Sequence, residues 1–242
     1  MTSTRFPGKV MQPLLGIPMI GRQIERLQRA QGIDSLVVAT STDPSDDMLA
    51  EYVSSLGVPV VRGPLDDVLA RFVMAVDVHL PTTVVRLTAD CPLTSPVVID
   101  EVIATFHEQG VDYCSNTLTP TYPDGLDVEV TTPQALIEVA DMSVDPAEHE
   151  HVTLGIYRRP DRYRVLNVAG SIDLSSLRWT VDTPEDFAFV EKVYEALYAV
   201  DPAFELNDVL SLLEREPRLS RTTADEVRNA ALVGLDTGAM HA

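Results

Sequence analysis

Short apolar runs alternate with amphipathic stretches along most of this chain, and the alternation sets the class of fold. Val10–Ile20 is apolar but broken by Pro13, Gly16 and Pro18. A helical pattern follows, with Ile20, Ile24 and Leu27 on one face and Gly32 as the residue past its end. Ser35–Thr40 reads as a buried parallel strand. Ser45 is the expected N-cap of a helix that opens on Asp46 and Asp47 and ends near Gly57. Val58–Arg62 predicts the next strand, and Asp66–His79 a helix that buries Val68, Leu69, Phe72, Val73 and Val76. Thr83–Thr88 predicts a third strand and Pro96–Gln109 a helix stopped by Gly110.

After Val111 the rhythm loosens. Short strands are expected around Asp112–Cys114 and Asp127–Thr131, on either side of the turn-rich stretch Thr119–Gly125. A helix is expected to begin at Pro133, behind Thr132. A further strand, Leu177–Val181, leads into a helix from Pro184 to about Tyr198 that buries Phe187, Val190, Val193 and Leu197, and Leu206–Arg215 adds one more helix. From about Ser220 the chain is small and polar without periodicity and is expected to be loosely held. Strands alternating with helices at this spacing predict an α/β fold: a doubly wound, mostly parallel sheet in three layers. One domain is expected over residues 1–218, with a small strand and helix insertion at about 112–170 and a tail at 219–242.

Charge narrows the partners. The net charge of −19 argues against nucleic acid and against an anionic membrane surface. No apolar run approaches the ~20 residues of a membrane span. Cys91 and Cys114 have no metal-ligand spacing, and two isolated cysteines without a signal peptide suit a reducing cytoplasm. A small polyanion remains a possible ligand wherever the scarce basic residues collect. Only Lys9 and Lys192 are lysines, against 16 arginines, so the first of them draws attention.

Lys9 closes the stretch Ser3-Thr4-Arg5-Phe6-Pro7-Gly8-Lys9. Gly8 permits close backbone approach, the N–H groups of such a turn can cradle an anion, and Arg5 and Lys9 add fixed positive charge. The arrangement suits a triphosphate, although the spacing is not that of a Walker loop, and the same residues also read as a solvated terminal turn. Two aspartates follow predicted strands: Asp90 after VVRLTA, and Asp182 after LRWTV. One or two carboxylates with phosphate oxygens is how Mg²⁺ is usually held. Asp182-Thr183-Pro184-Glu185-Asp186 equally reads as a helix start with Thr183 as cap. His149-Glu150-His151 lacks helix-face ligand spacing and a nearby third ligand, so a substrate or interface role is expected for it rather than a metal. Asp46-Asp47 and Asp66-Asp67 are accounted for by helix N-termini.

Taken together, STRFPGK, VVATSTDPSDD, VPVVRG-PLDDVLARF, VVRLTADCPLTSP, DYCSNTLTPTYPDGLDVEV, EHEHVT-IYRRP and LRWTVDTPEDF, in this order over residues 3–217, resemble the cytidylyltransferases of spore-coat polysaccharide synthesis (SpsF type). These are relatives of the CMP-Kdo and CMP-sialic acid synthetases. The resemblance implies a Rossmann-like nucleotidyltransferase that moves CMP from CTP to a sugar acid with Mg²⁺ and releases pyrophosphate, working as a cytoplasmic homodimer. It implies catalytic roles for Lys9, Arg5 and Asp90, with Asp90 and Asp182 on the metal. Ser3, Thr4, Arg5, Gly8, Lys9, Thr88 and Ala89 would then contact the nucleotide, and Asn116, Tyr122, Asp124, Asp127, Glu129, His149 and His151 the acceptor or the dimer partner.

Two departures stand out. Family members carry an apolar strand and a Gln-Ala-Arg-like segment ahead of the loop, lining the base, where this sequence has Met1-Thr2. The expectation is a start placed downstream of the true one, and otherwise a sheet without its first strand. Ala89 stands where the family commonly has Gly. Competing readings are a truncated relative that binds nucleotide without turnover, a nucleotidyltransferase acting on a non-sugar acid, and a nucleotide-sugar-dependent glycosyltransferase. The last ranks behind because the Lys9 loop favours a free triphosphate.

Overall fold

Helix caps written into the sequence set most of the element boundaries. The computed structural model describes residues 5–224. A two-residue hairpin, β1 (Pro13–Leu14) with β2 (Ile17–Pro18), leads into α1 (Met19–Leu27). Then follow β3 (Val38–Ser41), α2 (Asp47–Ser55), β4 (Val60–Gly63), α3 (Val68–His79), β5 (Val84–Arg86) and α4 (Pro96–Gln109). The second half comprises β6 (Tyr113–Ser115), β7 (Glu129–Thr131), α5 (Pro133–Met142), α6 (Pro146–Glu150), α7 (Leu154–Tyr157), β8 (Val165–Asn167), α8 (Pro184–Leu197) and α9 (Leu206–Arg215). Asp67, Ser95, Thr132 and Thr183 each turn a side-chain oxygen onto the first-turn N–H groups of α3, α4, α5 and α8. Each such cap is worth ~1 kcal/mol.

The expected helix starts hold with one shift. Ser45 is not the cap: Pro44–Asp46 forms a 3-10 turn capped by Asp43, whose Oδ1 accepts from the Ser45 N–H at 2.9 Å. Asp46 turns inward instead, where burial opposes its charge, and accepts from the Thr40 and Ser41 hydroxyls, which help to hold its carboxyl well below the usual range. Gly32 does not end α1, which stops at Leu27; the Gly32 N–H donates to Asp100 on α4 instead.

β3 and β4 run parallel. The other sheet has the order β5-β7-β6-β8, with β7 antiparallel to both neighbours and β6 parallel to β8. Segment 112–170, expected as an insertion, thus supplies β6, β7 and β8 together with α5–α7. Among the described residues no strand lies between β3 and β5, so each has one unpaired edge. A cavity of about 620 Å³ separates them, lined by Ile24, Leu36, Phe72, Val76, Val85 and Ile103 among others. The main core packs α4, α8 and α9 around Trp179, Val181 and Tyr194, and a second core packs α3 against α5 and α7.

Two expectations fail near the carboxyl end. Leu177–Val181 forms no strand; only single bridges occur, Arg178 with Asp124 and Leu177 with Thr222. The segment is threaded between the turn at Asp124 and the chain at Arg221, so its backbone bonds change partner along its length: Trp179 N–H donates to Asp124 O, Arg178 N–H to Arg221 O and Val181 N–H to Asp90 O. For the same reason the chain just after Ser220 is not loose. Arg221 pairs with Asp186 at 3.1 Å, and the Thr223 N–H donates to Ser176 O. The remainder of the tail, 225–242, lies outside the described residues.

Where the Asp124 turn meets this segment only glycine fits. Gly125 has φ +108, and a Cβ there would stand 2.6 Å from Thr180 N and 2.7 Å from the Trp179 carbonyl carbon. Gly125→Ala is expected to lower unfolding free energy by about 2–3 kcal/mol, read from urea melts. α6 carries a titrating contact. His149 Nδ1 lies 2.9 Å from Asp67 Oδ2 and Nε2 3.1 Å from the Ser143 carbonyl, so both acceptors favour the imidazolium. The Ser143 carbonyl contributes most, burial opposes it and Asp67 adds to it, lifting the imidazole above its ordinary 6.5. A raised folded pKa gives stability that is complete below the unfolded value and is lost as pH rises through the folded one. The stability gap between wild type and His149→Gln should therefore be wider near about pH 5.5 than near about pH 8.5; an equal gap at both would remove the charged contact.

Candidate active site

The loop that begins at Arg5 is held as a compact turn. Gly8 adopts a left-handed conformation, φ 70 and ψ 14, and caps the 3-10 turn Lys9–Met11. The Lys9 N–H closes the turn onto Phe6 O at 3.2 Å, and the Phe6 ring packs edge-on against Phe187 of α8 at 6.0 Å. That anchor directs Lys9 inward. Its Nζ donates to Asp90 Oδ2 at 2.9 Å, to Asp182 Oδ1 at 2.9 Å and to the Val181 carbonyl at 2.7 Å.

The two aspartates, 92 positions apart in the numbering, thus meet on one cation, as their places after the β5 segment and ahead of α8 imply. Arg5 Nη2 joins Asp182 Oδ2 at 3.1 Å. Burial works against the Lys9 charge, but Asp90 and Asp182 outweigh it and hold the ammonium above the ordinary lysine value. Burial likewise opposes ionisation of Asp182, and Lys9, Arg178 and Arg5 more than compensate, so it stays a carboxylate below the usual range.

Arg178 lies beneath. It is 2% exposed and reaches Asp124 Oδ2 at 2.9 Å, Asp182 Oδ2 at 2.8 Å and Asp186 Oδ2 at 3.3 Å. Asp186 also accepts from the backbone N–H groups of Asp182 and Thr183, which joins the cap of α8 to the acid cluster. Sequence reasoning missed Arg178 and Arg221. The available signal was an arginine inside the apolar run LRWTV, a position that demands acidic partners.

Thr88 and Ala89 lie beside this cluster, just before Asp90. The Thr88 carbonyl accepts from Gln23 Nε2 at 2.8 Å, and Ala89 is exposed. Ser3 and Thr4 lie outside the described residues. The expected acceptor contacts divide. Asp127 is half-buried and belongs to the acidic surroundings that, after burial itself, push the Cys91 thiol up. Asp124 is spent on Arg178.

Asn116 and Tyr122, also in the expected set, find partners within the chain, because the turn-rich stretch folds inward. Asn116 is fully buried and bonds the Leu126 carbonyl and the Val128 N–H across its own loop. The Tyr122 hydroxyl donates to Glu101 on α4, and burial and that contact push it up to about 12. Glu129 is also engaged internally, accepting from Arg86, the Tyr113 hydroxyl and Thr153. His149 is tied to Asp67 and Ser143 rather than turned toward the Lys9 cluster. His151 lies half-buried near Arg86 and Glu129, and burial lowers its pKa.

Among the described residues no group of three or more His, Cys, Asp or Glu is placed to hold a metal by protein ligands alone. What converges is a carboxylate pair with one lysine and two arginines at the mouth of a loop. Such a set can bind a polyanion through its cations and a hard cation through its carboxylates, provided the polyanion supplies the remaining oxygens.

Comparison with known proteins places the chain in a family. The family model described as Cytidylyltransferase matches residues 1–214. The spore coat polysaccharide biosynthesis protein SpsF of Bacillus subtilis is 32% identical over 224 residues, covering 90% of this chain and 92% of its own. An 8-amino-3,8-dideoxy-manno-octulosonate cytidylyltransferase of Shewanella frigidimarina is 33% identical over 117 residues, 48% of each chain. A solved cytidylyltransferase from Leptospira borgpetersenii superposes with a TM-score of 0.85 at 27% identity, covering 90% of this chain and 92% of that one. The fold is therefore the Rossmann-like nucleotidyltransferase fold, and the chain belongs to the cytidylyltransferase family of nucleotide-transferring enzymes.

Proposed function

We propose that this enzyme transfers CMP from CTP to a hydroxyl of a small sugar acid, releasing pyrophosphate, in the synthesis of a surface polysaccharide or glycoconjugate. The observation that carries the proposal is the meeting of Lys9, Arg5, Asp90 and Asp182 at one point. The kinship with SpsF and with a cytidylyltransferase acting on an eight-carbon amino sugar acid supports the acceptor class. The same reading makes the enzyme a cytoplasmic homodimer. Among the described residues no helix is long and apolar enough to cross a membrane.

The chemistry follows from charge. The acceptor hydroxyl oxygen forms a bond to the α-phosphorus and gives up its proton to solvent, while the bond from that phosphorus to the bridging oxygen breaks and pyrophosphate departs with its electron pair. Lys9 and Arg5 hold triphosphate oxygens that gain charge as this happens, and the turn at Gly8 fixes the backbone that carries Lys9. Asp90 and Asp182 fit Mg²⁺: they already bind one cation between them, and two carboxylates with phosphate oxygens make a suitable donor set. Mg²⁺ there would offset phosphate charge and lower the pKa of the attacking hydroxyl. Arg178 keeps Asp182 ionised and oriented.

Thermal melts with CTP, UTP, ATP and GTP, each with and without Mg²⁺, test the nucleotide half. CTP at 100 times its Kd should add roughly 2.7 kcal/mol, and an equal shift with every nucleotide would overturn the assignment to cytidine. CTP binding without pyrophosphate release across a panel of sugar acids and other acids would favour a nucleotide-binding relative that lacks turnover. Lys9→Ala should cost about 2–4 kcal/mol in kcat/KM and Asp90→Asn should abolish Mg²⁺-dependent turnover; near wild-type rates in either would remove that residue from the site.

A further inference from the structure

The cation between Asp90 and Asp182 belongs to the chain itself. Three oxygens converge on Lys9 Nζ: Asp90 Oδ2 at 2.9 Å, Asp182 Oδ1 at 2.9 Å and Val181 O at 2.7 Å. A magnesium ion shared by these carboxylates would need to approach each oxygen to ~2.0–2.1 Å. That places it where the ammonium stands, and two cations cannot share the point. One must leave.

The contacts decide which. Asp182 keeps Arg178 through its other oxygen at 2.8 Å, and Arg178 is buried and fixed by Asp124 and Asp186. Lys9 is a flexible four-carbon stem on a loop whose turn is made by Gly8. It can swing to a phosphate as a point charge; Arg178 cannot.

We propose that Lys9 is a gate. It fills the metal position between Asp90 and Asp182 while no nucleotide is bound, and it moves to the triphosphate when nucleotide arrives. Free divalent metal is thereby held off, and metal and CTP bind cooperatively. Lys9, Arg178 and Arg5 already pair with the two carboxylates, so a lone dication meets little net attraction. A triphosphate supplies the negative charge that draws Lys9 away and uncovers both carboxylates. By linkage the coupling is reciprocal: the metal raises nucleotide affinity by the same factor. The gate rests on the reading of Asp90 and Asp182 as metal ligands.

The test is Mn²⁺ binding without nucleotide, followed through the paramagnetic signal of the free ion. Lys9→Gln should bind Mn²⁺ on the order of tenfold more tightly than wild type, and adding Asp90→Asn should remove the gain. Equal or weaker binding by Lys9→Gln overturns the gate. A gain that survives Asp90→Asn places the metal elsewhere and overturns the metal reading as well. Should Lys9→Gln not fold, the wild type still gives an answer. The chain has only Lys9 and Lys192, so labelling by an amine-reactive ester is read site by site in a mass spectrum. Mn²⁺ high enough to fill the site should raise Lys9 labelling several-fold against the exposed Lys192, as the ammonium is expelled. An unchanged ratio with Mn²⁺ bound refutes it.

Discussion

Asp182 accepts from three cations at once, Lys9, Arg5 and Arg178, and that convergence ties the site to the fold. Arg178 is the member that cannot move. It lies almost wholly buried among Asp124, Asp182 and Asp186, three carboxylates from two distant parts of the chain. Breaking a buried set of this kind by removing one partner costs about 3–5 kcal/mol, because the charges left behind have no water to turn to. The set therefore gives specificity of arrangement as much as stability: only one approach of the Asp124 turn to the 177–181 segment satisfies every member. Gly125 and its close contact with Trp179 and Thr180 mark that approach in the backbone.

The neighbouring cations differ in exposure, and the difference divides their work. Arg178 is out of reach of any ligand, while Arg5 is 45% exposed at its side chain and Lys9 lies between them at 12%. A polyanion arriving from solvent meets Arg5 first and Lys9 next, and Arg178 only through the carboxylate it orients. The acids are graded in the same way. Asp124 and Asp186 are consumed inside, whereas Asp90 has 28% of its side chain open and Asp182 20%. In a chain of net charge −19, a triphosphate site exists only where the fold gathers basic groups in this graded fashion.

Away from this cluster, a second, largely buried ionic group shows the same logic. Glu129 on β7 receives Arg86 from β5, the Tyr113 hydroxyl from β6 and Thr153 ahead of α7. Its role is to lock the three strands and α7 in register: Arg86 and Ser115 are both cross-strand partners of Glu129. An acid on a strand facing inward invites a binding role, but this one has every oxygen engaged by the protein.

Sequence alone determined the alternation of strands and helices, the helix starts at Pro96, Pro133 and Pro184 with Thr183 as a cap, and the turn at Gly8 with Lys9 beside it. These are local matters, decided by residues within a few positions of one another, and so they are visible in a linear reading. It also marked Asp90 and Asp182 by their place after apolar runs, although Asp182 alone read equally well as part of a helix start. What only tertiary structure decided was partnership. Asn116, Tyr122 and Glu129 look like ligands for a substrate in a polar, turn-rich stretch, yet the fold turns them onto a loop carbonyl, a helix carboxylate and a strand arginine. Leu177–Val181 has the composition of a strand but lies where its backbone finds a different partner at each step. Arg221 reaches Asp186 across 35 positions of chain and Arg178 reaches Asp124 across 54, contacts that no local pattern encodes. A buried charge is fixed by what surrounds it in space, and spacing along the chain does not carry that information.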